Sequence, residues 1–70
     1  MLRTVVASNI ENDEISVEIW CDHDMVGEIQ KIEGDLVINL YNCASSNYWK
    51  LNFVEFSRVF SIALEEARTI

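Results

Sequence analysis

Seventy residues allow one domain with one core, and 12 acids against five lysines and arginines leave a net charge of −7 that disfavours direct contact with nucleic acid or an anionic bilayer. Half of the residues are apolar and proline is absent, so the chain has the material to fold, although a lone core of this size contributes only about 3–5 kcal/mol. No apolar run approaches the roughly 18 residues of a membrane span, and the opening run Thr4-Val5-Val6-Ala7 is too short for a secretion signal. The expectation is therefore a single domain, residues 1–70, in the cytoplasm.

The first predicted element is an edge strand over the apolar stretch Leu2 to Ala7. Ser8 to Glu14 is rich in turn formers and charge, which reads as a surface connection. From Ile15 to Cys21 apolar and polar residues alternate, with Ile15, Val17, Ile19 and Cys21 on one side and Ser16, Glu18, Trp20 and Asp22 on the other, as a half-buried strand requires. Asp22-His23-Asp24 is a tight connection to a partner strand, Met25 to Ile32, in which Gly27 marks a bulge or a close backbone contact. Glu33-Gly34-Asp35 makes the next turn, its glycine supplying a positive φ, and leads into the β-rich Leu36 to Tyr41.

The small polar residues Asn42 to Asn47 then form a connection, and Tyr48 to Leu51 adds a short last strand. Beyond that point the period changes to that of a helix. Phe53, Phe56, Phe60, Ala63, Leu64 and Ala67 fall on one stripe that faces the sheet, with Val59 toward a flank and Ile62 nearly opposite. Asn52 is the expected N-cap, and Glu55, three residues later, is placed to complete a capping box. The predicted fold class is α+β: an antiparallel β-meander of three to five strands with one C-terminal α-helix packed on one face.

Function is best approached through charge. Between Arg3 and Lys31 stand Glu11, Asp13, Glu14, Glu18, Asp22, Asp24 and Glu28, with no lysine or arginine among them. Their interleaving with apolar residues places them on a folded face and not in a disordered tail. If Ile15, Val17, Ile19, Leu36, Ile38 and Leu40 point to the core, then Glu18, Trp20, Asp22, Val37, Asn39 and Tyr41 point outward, on the side with no helix. Aromatics are enriched at binding hot spots, and carboxylates beside them suit lysines and arginines of a partner. The competing reading is a solvated face that keeps a small protein soluble.

Catalytic and metal chemistry find little footing. Cys21-Asp22-His23-Asp24, joined by Cys43 if the later loop folds back, contains metal-ligating side chains, but the spacing matches no zinc motif. No metal or cofactor is expected. Cys21 reads instead as a small core residue, His23 as the tip of a turn, and both thiols as reduced. Neither cysteine has a basic neighbour to activate it, and the many carboxylates lack a concave, dry setting that would separate their pKa values. No catalytic residue is assigned, and an enzyme is not expected.

The expected function is that of a small acidic protein-binding module. It would be an inhibitor or antidote, immunity- or antitoxin-like, that docks on a basic partner such as a nuclease or toxin. Glu11, Asp13, Glu14, Glu18, Trp20, Asp22, Asp24 and Tyr41 would form the contact. The alternative is a homodimeric structural or adaptor protein that buries Trp20 and Tyr41 against a second copy through the open sheet face or the helix. Ile62 with Ile70 would mark a helix-borne seam.

Overall fold

In a computed structural model, which describes residues 1–9 and 14–69, the chain forms four strands and one helix: β1 (Leu2–Asn9), β2 (Glu14–Cys21), β3 (Asp24–Ile32), β4 (Asp35–Leu40) and α1 (Phe53–Arg68). The strands pair antiparallel in chain order, β1-β2-β3-β4, so β1 and β4 are the edges. The α+β meander with one packed helix is thus present. Among the described residues no helix is long and apolar enough to cross a membrane.

Short turns fix the register. Cys21 pairs with Asp24 and Ile32 with Asp35, leaving two-residue loops at Asp22-His23 and Glu33-Gly34. Glu33 and Gly34 both have positive φ, 51° and 88°, the mirrored turn geometry that matches the twist of a hairpin. Between the pairs Ile19–Gly27 and Trp20–Met25, β3 carries one extra residue, Val26, as a bulge. Gly27 is needed next to it. A Cβ there would lie 2.5 Å from the Asn39 carbonyl oxygen on β4, so only glycine lets the two strands approach this closely.

The helix begins as its sequence requires. The Asn52 side chain accepts the Glu55 amide at 2.9 Å, and Asn52 itself is extended. The second half of the expected capping box does not form, because the Glu55 carboxylate instead accepts the Leu2 amide at 2.7 Å. An edge-strand amide that faces the helix has no ladder partner, and a charged acceptor satisfies it better than water does. One side chain thereby ties β1 to the helix across most of the chain.

The core consists of Leu2, Val17, Ile19, Val26, Ile29, Val59, Ala63 and Ala67, with Cys21, Trp49, Leu51, Phe56 and Phe60 packed around it. The helix packs mainly on β1, β2 and β3. This corrects several expectations. Leu36, Ile38 and Leu40 face the helix side of the sheet but remain exposed, and so does Ile15. On the helix, Val59 is buried, whereas Phe53 is 80 % exposed. Val59, Ala63 and Ala67 recur every four residues and form the line of closest contact, where alanines let the helix sit low on the sheet. Phe56 and Phe60, rotated around the axis from that line, cover only its flank, their rings 5.7 Å apart. Tyr48 to Leu51 is not a strand, but Trp49 and Leu51 still pack on the core, and Trp49 Nε1 donates to the Tyr41 carbonyl at 2.9 Å.

Candidate interaction face

The face of the sheet without a helix is assembled by register. Ladder pairing sets Arg3 beside Trp20, Val5 beside Glu18, Glu18 beside Glu28, and Glu28 beside Asn39. Two carboxylates therefore stand directly opposite each other in the middle of the sheet, an arrangement that is unfavourable unless something positive or hydrogen-bonding relieves it. Aromatic donors relieve part of it. Trp20 Nε1 donates to Glu18 Oε1 at 3.0 Å, and the Tyr41 hydroxyl donates to Glu28 Oε1 at 2.6 Å. Asn39 Nδ2 donates to Gln30 Oε1 at 3.0 Å, a second side-chain bridge to β3 beside that of Tyr41.

The electrostatics follow from this geometry. The hydrogen bond to Glu28, then burial, then the negative charges of Glu28 and Glu18 all push the Tyr41 hydroxyl above the usual phenol range, since ionising it would add a third negative charge. The cation on this face is Arg3, whose guanidinium lies 5.3 Å from the centre of the Trp20 ring and also reaches the Asp22 carbonyl at 3.4 Å. Trp20 is accordingly half-buried beneath Arg3 and anchored to Glu18, not a free aromatic anchor. Beside it, Ala7, Ser8, Glu14, Ser16, Glu18, Glu28 and Gln30 line an open groove of about 290 Å³.

The residues expected to form the contact divide accordingly. Glu14, Glu18, Trp20 and Tyr41 share the helix-free face, together with Glu28. Asp22 and Asp24 lie at the β2–β3 turn, at one end of the sheet. Asp22 is committed within the chain, binding the Met1 ammonium at 3.0 Å, and this contact lowers the Asp22 carboxyl below the usual range. Glu11 and Asp13 fall outside the described residues. Sequence reading missed the roles of Glu28 and Arg3. Glu28 was recoverable from the β2–β3 register, which the bulge at Val26 hides because one extra residue shifts every pairing on one side of it, and Arg3 from the separate β1–β2 register that pairs it with Trp20.

A second cleft, of about 400 Å³, lies at the turn end of the sheet. The loop after Tyr41 does fold back there, so that Cys43 lines the same cleft as Cys21, Asp22, His23 and Asp24. Both cysteines are free thiols. Among the described residues no three His, Cys, Asp or Glu side chains are grouped so as to hold a metal ion. Comparison with known proteins gives no match to a family model, to a curated protein or to a solved structure.

Proposed function

We propose that the protein is a small binding module that docks its helix-free sheet face on a basic protein, as an inhibitor or antidote would. The observation that supports this reading is the Glu18–Glu28 pair. Two like charges set opposite each other weaken a sheet that has little stability to spare, and their aromatic donors neutralise neither. A lysine or arginine from a partner, seated between the two, would relieve the repulsion and bind both oxygens sets at once. The donors also hold the carboxylates in fixed positions, so little side-chain entropy is lost on docking. A nuclease or another phosphate-binding protein offers the matching array of cations, which the carboxylates would occupy in place of phosphate.

The test begins with capture from native lysate at low salt, followed by elution as salt is raised. One basic protein, recovered in equal proportion to the bait and released by salt, is the expected result. With that partner in hand, Glu18→Gln with Glu28→Gln should slow association and flatten its salt dependence, because complementary charge acts mainly on the on-rate. Unchanged association rate and salt slope in the double variant would sink the proposal.

A further inference from the structure

The two edges of the sheet are finished differently. At β1 the first outward amide, that of Leu2, is already taken by Glu55, and Arg3 lies along the strand. At β4 nothing comparable exists. Its six residues, Asp-Leu-Val-Ile-Asn-Leu, include one charge, at the very start, and no lysine, proline or bulge. These are the devices by which edge strands normally avoid pairing with another chain. The helix, moreover, leaves the β4 row Leu36, Ile38 and Leu40 exposed.

We infer that the β4 edge pairs with the β4 edge of a second copy, antiparallel, about a two-fold axis through Ile38. The hydrogen-bond pattern dictates this register. Tyr41 donates its amide to the Val26 carbonyl on β3, so by alternation Asn39 and Val37 also turn their backbone groups toward β3, and Leu40, Ile38 and Leu36 turn theirs outward. An axis at Ile38 sets Ile38 opposite itself and Leu36 opposite Leu40 of the second copy. Every outward amide and carbonyl of the three residues then meets its complement. Residues directly opposite share a face of the sheet, so the apolar row of one copy continues into the apolar row of the other.

Charge favours the same occupant. In a chain of net charge −7, a self-contact must avoid its own acids, and Leu36 to Tyr41 is uncharged. The axis at Ile38 places the two Asp35 residues at opposite ends of the joint, about 20 Å apart along the strands and well beyond a Debye length of roughly 8 Å. An axis normal to the sheet also keeps both helices on one side. The bond from Glu55 to Leu2 turns one flank of the helix toward β1. At 100° per residue, Phe53, Phe60 and Leu64 belong to the opposite flank, so each helix presents these residues toward the joint. The result is one continuous eight-stranded sheet carrying two Glu18–Glu28 pairs on its other face.

Light scattering on the full chain, over a wide concentration range, tests this first. A mass twice that of the 8.1 kDa chain is expected, insensitive to salt. Amide hydrogen exchange on the same sample should show Leu36, Ile38 and Leu40 protected, although their amides point away from β3. Ile38→Lys would set two ammonium groups opposite each other on the axis and should weaken the dimer by at least about a hundredfold. Its circular dichroism should remain that of the folded chain. A monomer at about millimolar concentration with those three amides in fast exchange would overturn the inference. So would a dimer that survives Ile38→Lys, or β4 amides that become protected only when a different protein is added. Ile38→Lys leaves Glu18 and Glu28 in place, and the Glu18→Gln, Glu28→Gln variant leaves β4 in place, so either proposal can fail without the other.

Discussion

Val17 and Ile19 on β2 and Ile38 and Leu40 on β4 point to the same side of one sheet. The first pair is 0 % and 1 % exposed, and the second 37 % and 68 %. The strands do not differ in pattern, since both alternate apolar with polar or outward-facing residues. They differ in what lies above them. A single helix is about 10 Å across with its side chains, whereas four strands at about 4.8 Å spacing present a wider face, so one strand at the margin is left without cover. The helix packs chiefly on β1, β2 and β3, and the bond that Leu2 donates to Glu55 holds it on the β1 side. The strand left bare is consequently the one on the far side.

What holds β4 in place is therefore different in kind. It has the backbone ladder to β3, the close approach at Gly27, and the outer-face bonds from Asn39 to Gln30 and from Tyr41 to Glu28. The sharpest way to break the comparison is a matched pair of truncations followed by urea. Ile19→Ala should cost about 2–5 kcal/mol, as for other sealed core positions, whereas Ile38→Ala at high dilution should cost under about 1 kcal/mol. Equal costs at dilution would mean that β4 is as covered as β2 within one copy. A cost at Ile38 that grows with protein concentration is what pairing of two edges predicts.

Gly27→Ala comes next in size. With a Cβ driven against the Asn39 carbonyl, β4 must move off β3, at a cost of about 1–3 kcal/mol. Exchange of β4 amides should accelerate more than that of β2 amides. A uniform loss across the sheet would show that the four strands unfold as one unit despite the unequal cover.

The gentlest probe is the Tyr41 hydroxyl. In a Tyr48→Phe background, its absorbance change on ionisation should come later than the usual phenol midpoint near 10. Glu28→Gln should bring that midpoint back down. The sign is that of a group whose pKa rises on folding. The stabilisation from this bond is fully present below the unfolded pKa and is lost as pH climbs through the folded one. A midpoint unmoved by Glu28→Gln would remove Glu28 as the cause of the shift and with it one of the straps on β4.

Much of this architecture is legible in the sequence, because the signals are local. Alternation located β2, glycine and short polar runs located the turns, and Asn52 located the start of the helix. What periodicity could not report is coverage. Leu36, Ile38 and Leu40 carry a core-like pattern, yet burial depends on where a helix distant in sequence comes to rest. The same limit explains Val59 and Phe53, whose order of burial was inverted. A stripe drawn through the phenylalanines ignores that the closest line of contact goes to small residues such as Ala63 and Ala67. On the outer face, Glu18, Trp20 and Tyr41 were identified as neighbours in chemistry. Glu28 joins them only through the bulge at Val26, and Arg3 only through the β1–β2 register.

The amide of Leu2 and the carboxylate of Glu55 are 53 positions apart, whereas each ladder of the meander joins strands that follow one another along the chain. Folding therefore involves two very different searches. The hairpins need only short loops to close, but the helix must find the first strand across nearly the whole polypeptide, which is the costlier closure in entropy. Without the helix in place, Val17, Ile19 and Ile29 have no cover on that side of the sheet. Any opening that lifts the helix therefore bares the most apolar surface the chain has, and the bond that Leu2 donates to Glu55 is a clasp against chains sticking together.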